Sequence, residues 1–225
     1  MAALCAANNL SCALPLVALD TVPPNGHSVW GYFVRDEPKG ADFPGLASRV
    51  ASIRKAHPTA LSFINLLGYV NMTEERNVGL YGFKTYEEYV DTFISTVKPD
   101  ILSYDCYPEY SRMDNMHYNL AFHREKALAA GIPMWNYIWL SSNGRGHGAG
   151  FYRWQVWTSV AYGSKGLMQW SISPCGNVHA CGPKDRWAPY PCMLDKHGLP
   201  FKPVYSMAQI VHKRLVALGS VFFFF

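Results

Sequence analysis

The stretch Trp30–Pro38, WGYFVRDEP, decides how the chain is read. Apolar and aromatic residues from Trp30 to Val34 deliver two adjacent acids, Asp36 and Glu37. Pro38, Lys39 and Gly40 then interrupt the chain. The pattern predicts a buried strand whose C-terminal end presents a carboxylate pair. An isolated acidic pair after a strand is most simply a solvated turn. Carboxylates beside an apolar strand are seldom kept without a partner or a task, so the pair also marks a candidate site.

Outward from this stretch, the same arrangement recurs. Cys12–Leu19 reads as a preceding strand ending at Asp20, with an apolar helix end, Ala2–Ala7, before it. Pro44 opens a helix in which Leu46, Val50 and Ile53 share a face, and His57-Pro58 closes it. Leu61–Leu66 is a strand with Asn65 at its end, and residues 67–84 read as a loop. Thr85 and Glu88 form a capping box for a helix carrying Tyr86, Tyr89, Val90, Phe93, Ile94 and Val97. Ile101–Cys106 follows, with Asp105 near its end. Then come a helix over about 114–130, a strand Ile132–Leu140, a glycine-rich loop, a helix over about 151–162 and a strand Gly166–Ile172. A long loop, 173–201, leads to a last helix from about Pro203 to Leu218.

Strands that are continuously apolar and alternate with helices specify a parallel sheet with helices on its faces. Asp20, Glu37, Asn65, Asp105, Trp139 and Trp170 fall at strand C-terminal ends, the catalytic face of a (β/α)8 barrel. No glycine-rich phosphate loop follows a strand, which disfavours an open nucleotide-binding sheet. The expected fold class is thus α/β: one domain over residues 1–225, a partial TIM-type (β/α) barrel of about six parallel strands. Two βα units are expected to be missing at the N-terminus. Uncovered strand edges on such a sheet predict cover by Met1–Leu10, by the Phe222–Phe225 tail or by a second copy, hence a homo-oligomer.

Composition narrows the function. The 225 residues are 49% hydrophobic and 15% aromatic, enough for a large core or an aromatic-lined cleft. The net charge of +4, without a basic run, disfavours nucleic acid. No apolar run is long enough to span a membrane, and residues 1–19 lack the basic start of a signal peptide. Six cysteines are too few for a disulfide framework at this length, although Cys175, Cys181 and Cys192 could include one bridge. Cys175 and Cys181 with His179 and His197 match no common zinc spacing, so no metal or other cofactor is expected. Sequons at Asn9 and Asn71 matter only on a secreted chain. The compartment is not fixed by these features; an extracellular or periplasmic one is slightly favoured.

The segments GYFVRDEP, INL, ILSYDCYP, IPMWNYIW and YRWQVWTSVAYGSKGLMQW together resemble strands four to eight of clan A glycoside hydrolases, beta-galactosidase-like barrel proteins in particular. The closing MLDKHGLPFKPVYSMAQIVHKRL resembles the last barrel helix of that family, so the likeness covers about residues 1–218. It implies glycoside hydrolysis of a carbohydrate substrate, with Glu37 at the family's acid/base position and Asp36 beside it. The family's nucleophile is a Glu at the end of strand seven. The corresponding strand here, IPMWNYIWL, holds no carboxylate.

Hydrolysis of a glycosidic bond needs two carboxyl groups. Glu37 is the expected proton donor. Asp20, Asp36, Asp105 and Glu109 are the acids available as its partner, and Asp105 is favoured, two strands along a closed sheet. Asp36 in an ideal strand would point to the other face. Asp36 and Asn65 are expected to bind sugar hydroxyls. Tyr107, Trp135, Tyr137, Trp139 and Trp170 are candidates for a stacking platform, each with core packing as its alternative. His147 stands alone in a glycine-rich loop and is expected to be solvated. No G-x-S-x-G elbow occurs, so a serine hydrolase is disfavoured. The competing function is a carbohydrate-binding or catalytically degenerate barrel.

Overall fold

The computed structural model describes residues 12–15, 29–108, 113–140, 148–170, 172, 193–194 and 197–222. Its strands are β1 (Cys12–Pro15), β2 (Val29–Asp36), β3 (Leu61–Leu67), β4 (Leu102–Asp105), β5 (Met134–Trp139) and β6 (Gly166–Trp170). Its helices are α1 (Phe43–Ala56), α2 (Glu74–Tyr81), α3 (Tyr86–Val97), α4 (Met113–Ala130), α5 (Ala149–Ala161) and α6 (Lys202–Phe222). Five strands, β2 to β6, make up the α/β architecture, with the four-residue β1 alongside β2. The expected strand over 12–19 is thus described only as far as Pro15. The chain divides into two compact units: residues 1–106 with 121–134, and residues 107–120 with 135–225.

In the first unit, β1 pairs with β2, β2 with β3 and β3 with β4, all parallel. The interior of β3, Ser62–Leu66, is buried without a break, as expected where helices cover both faces. Helix α1 turns Phe43, Leu46, Val50 and Ile53 inward, the face read from the sequence, and has Pro44 in its first turn. Helix α3 opens on the expected capping box: Glu88 N–H donates to Thr85 Oγ1 at 3.1 Å, and Thr85 N–H to Glu88 Oε2 at 3.2 Å. It buries Tyr86, Tyr89, Val90, Phe93 and Val97. Phe43 of α1 meets Phe93 edge-on at 5.4 Å and Tyr89 at 5.5 Å between ring centroids. Each such buried ring is worth about 1.5–3 kcal/mol relative to exposure. Asp100 tethers the entry of β3, accepting from Ser62 N–H at 2.9 Å and Arg54 Nη2 at 2.7 Å.

Residues 67–84 are not simply a loop. Glu74–Tyr81 is helical, with Thr73 as N-cap, two glutamates in the first turn and Gly82 at φ 85° closing it. Only Asn77 and Tyr81 of this helix are buried, so it shows little of the apolar periodicity that reveals longer helices.

In the second unit, β5 and β6 pair in parallel from Trp135↔Gly166 to Trp139↔Trp170. Ile138, Leu140, Tyr152, Val156, Met193, Val204, Ala208 and Val211 form its core, drawn from β5, α5 and α6. Gln155 of α5 clamps the end of β5, accepting from Trp139 N–H and donating to Trp139 C=O, both at 3.0 Å. Asn136 donates to Ser159 Oγ at 2.9 Å and accepts from Ser164 Oγ at 2.8 Å, so the buried polar groups behind β5 find partners in one another. No helix among the described residues is long and apolar enough to cross a membrane.

Candidate active site

The register of the first unit assembles a carboxylate cluster. Asp36, the last residue of β2, lies level with Asn65, and Asp105, the last residue of β4, lies level with Leu67. Because the strands are parallel, all of these groups sit at the C-terminal end of the sheet. Asn65 lies inside β3 rather than at its end and is only 2% exposed. There it is the hub. Its Nδ2 donates to Asp36 Oδ1 and to Asp105 Oδ1, each at 3.0 Å. Its Oδ1 accepts from Ser103 Oγ at 3.3 Å. Two carboxylate neighbours can be met only by the two hydrogens of the amide nitrogen, so the network fixes which way the amide points.

Glu37 lies one residue beyond β2 at φ 41°, a left-handed backbone uncommon for a residue with a Cβ. Its N–H donates to Asn65 C=O at 2.8 Å. The kink matters for the adjacent acids. In an unbroken strand Asp36 and Glu37 would face opposite sides. Here Asp36 contacts Asn65 while the Glu37 carboxyl hydrogen bonds to the carboxyl of Asp105.

Two carboxyls can share a hydrogen bond only if one of them keeps a proton. Burial raises the Asp105 pKa to about 8, the negative charges of Glu37 and Asp36 add to the rise, and the Asn65 bond opposes it. The Glu37 pKa is raised as well, by desolvation first and then by the Asp36 charge, while its bond to Asp105 pulls it back. Glu37 as a residue stays exposed, whereas Asp105 is only 5% exposed. Burial and mutual repulsion thus favour one proton kept on the pair, and Asp105 is its more deeply buried member. Next to it the Cys106 thiol is pushed up to about 12, by burial and then by Asp105, so it stays a neutral thiol.

A second layer, unforeseen in the sequence, supports this end of the sheet. Tyr89 donates to Pro38 C=O at 2.7 Å. Tyr81 donates to Gly68 C=O at 2.9 Å and accepts from Val70 N–H at 3.3 Å. Tyr86 donates to Leu67 C=O at 3.0 Å, which leaves its oxygen to accept from His123 Nε2 at 2.9 Å. His123 is fully buried and stacks on the Tyr104 ring at 3.6 Å. Helical spacing places Tyr86 and Tyr89 on the helix that follows the capping box. Their hydroxyl bonds depend on strand-end carbonyls that only the tertiary fold brings near.

The aromatic candidates belong to the second unit. Trp139 and Trp170 are partners at the C-terminal end of the β5–β6 pair; Trp139 is buried and Trp170 is 47% exposed. The half-buried Tyr107 has its ring 5.8 Å from that of Trp139. Tyr137 lies mid-strand and half-buried. Trp135 lies at the opposite, N-terminal end, level with Gly166, and its indole packs so closely on that glycine that no Cβ would fit there. This position puts Trp135 at the end of the strand away from Trp139 and Trp170. Asp20, Glu109, His147, Cys175, His179, Cys181 and Cys192 lie outside the described residues. Among the described residues, no group of three His, Cys, Asp or Glu side chains is arranged to hold a metal ion.

By sequence the chain matches no family model and no curated protein. Among solved structures it is similar to the beta-galactosidase of the psychrophilic Marinomonas ef1, with a TM-score of 0.51 and 13% identity over 80% of this chain and 27% of that one. It is also similar, with a TM-score of 0.48 and 12% identity, to a protein of Bacteroides thetaiotaomicron assigned as an alpha-L-fucosidase, over 72% of this chain and 53% of that one. The chain therefore spans about half the length of one neighbour and about a quarter of the other. At such identity the likeness to the beta-galactosidase is one of fold alone: this chain shares a parallel α/β architecture with part of that structure.

Proposed function

We propose that the chain is a glycoside hydrolase-type domain in which Glu37 and Asp105 act as one proton-sharing unit. The observation that carries this reading is the Glu37–Asp105 carboxyl bond at the C-terminal end of the sheet. Opposing carboxyls in a retaining enzyme stand about 5–5.5 Å apart, and further apart in an inverting one. A hydrogen-bonded pair is closer than either, so Asp105 is read as the proton source behind Glu37 rather than as the group on the far side of the sugar. The single proton of the pair passes from Asp105 through Glu37 to the leaving oxygen as a water molecule adds to the anomeric carbon. The pair then stands as two adjacent carboxylates, and burial together with mutual repulsion draws a proton back from water. Asp36, exposed and held at one oxygen by Asn65, is placed to accept from a sugar hydroxyl. Within the second unit, Tyr107 and Trp170 keep exposed surface and are by themselves candidates for stacking on a sugar ring.

A second reading is a carbohydrate-binding domain without turnover. It is favoured by strand β5, which carries no carboxylate where the resembled family has its nucleophile. The two readings part in a screen of aryl glycosides with the intact protein, Glu37→Gln and Asp105→Asn. Release of aglycone that both variants lose supports the hydrolase. Sugar binding by calorimetry with no release in any protein supports the binding domain.

A further inference from the structure

The turn that carries Glu37 is held from several sides. A residue with a Cβ stays at a φ of 41° only where its surroundings enforce it. On one side, Glu37 N–H is fixed to Asn65 C=O. On the other, Pro38 C=O accepts from the Tyr89 hydroxyl at 2.7 Å, across 51 residues of sequence. Lys39 Nζ donates to Gly79 C=O at 2.7 Å, and Lys39 N–H donates to Asp42 Oδ2 at 2.9 Å. Gly40 packs against the Phe83 ring so closely that a Cβ there would collide with it. Tyr89 itself is fully buried, and its ring is fixed by Phe43, Tyr81, Phe83 and Tyr86 at centroid distances of 5.0–6.2 Å. A rigid hydroxyl from α3 thus grips the carbonyl next to the strained residue.

We infer that Tyr89 is a positioning residue: by gripping Pro38 C=O it keeps Glu37 in the left-handed conformation that turns its carboxyl onto Asp105. Without that grip the turn relaxes toward an extended backbone, and strand alternation carries Glu37 away from its partner. The inference rests on the proposed function only in taking Glu37 as the working carboxylate.

The test is a carbon-13 titration of the side-chain carboxyls in the wild type and in Tyr89→Phe, which keeps the packed ring and removes the hydroxyl alone. The Asp105 midpoint is expected to fall by about one pH unit, a tenfold change in proton affinity, as the Glu37 charge moves off. Tyr152→Phe removes a buried hydroxyl that bonds Gln169 and His212, and is expected to cost stability while leaving that midpoint in place. If Tyr89→Phe does not fold, Lys39→Met, which releases the exposed tether to Gly79, is read in the same way and is expected to move the midpoint in the same direction. An Asp105 midpoint unmoved in a folded turn variant overturns the inference, and so does an equal shift in Tyr152→Phe. The titration needs no turnover, so the absence of glycoside cleavage would remove the hydrolase reading and leave this result to stand or fall alone.

Discussion

Replacing Asp105 with asparagine is expected to stabilise the protein near neutral pH, although it alters the centre of the candidate site. An unfolded Asp ionises near pH 3.9. In the fold Asp105 ionises at about 8, chiefly because it is buried and then because Glu37 and Asp36 lie near it. Between these two values the folded protein binds a proton that the unfolded chain does not, so stability falls as pH rises from about 4 to about 8. The slope is about 1.4 kcal/mol per pH unit, which by pH 7 accumulates to about 4 kcal/mol. Asparagine is neutral in both states and escapes this cost. Its oxygen can still accept from Asn65, and its amide can donate to Glu37 where the Asp105 proton did. Because proton binding is shared with Glu37, part of the cost persists on that group, and a gain of about 1–4 kcal/mol at pH 7 is expected, vanishing near pH 4. Urea unfolding of both proteins at pH 4.5, 6.0 and 7.5 measures it. A variant no more stable than wild type at pH 7.5, or an advantage that does not change with pH, would refute the raised pKa and with it the shared proton.

Three further outcomes are expected. Glu37→Gln should lower turnover of a cleaved aryl glycoside by about 10²–10⁴-fold, read as kcat; it should also lower the Asp105 midpoint, since the Glu37 charge is the second contributor to its rise. Thr85→Ala, which removes the hydroxyl capping α3, should cost about 1 kcal/mol in thermal or urea unfolding without moving the Asp105 titration. Gln155→Leu should cost about 1–3 kcal/mol, because it removes both hydrogen bonds that the side chain makes to the buried main chain of Trp139; preserved stability in urea would show that water replaces the clamp.

The sequence by itself determined the parts of this protein that local physics controls. The apolar run before Asp36 and Glu37 became β2, the period of Leu46, Val50 and Ile53 became the buried face of α1, and Thr85 with Glu88 became the cap of α3. Those features depend on residues a few positions apart, where periodicity and capping act. Helix α2 stayed hidden because its eight residues bury only Asn77 and Tyr81. That Asp36, Asn65 and Asp105 lie at one end followed from strands running parallel, a consequence of their continuous hydrophobicity. What only the tertiary structure decided is how these groups meet. The register sets Asn65 inside β3, between two acids, rather than at the strand end where the sequence placed it. The left-handed turn at Glu37 brings two neighbouring acids into one cluster, against the alternation of an ideal strand. Trp135, one of three tryptophans that look alike in an apolar sequence, is separated from Trp139 and Trp170 by strand direction alone. A proton shared between Glu37 and Asp105 depends on burial and on an approach across 68 residues of chain, and neither has any signature in a local stretch of residues.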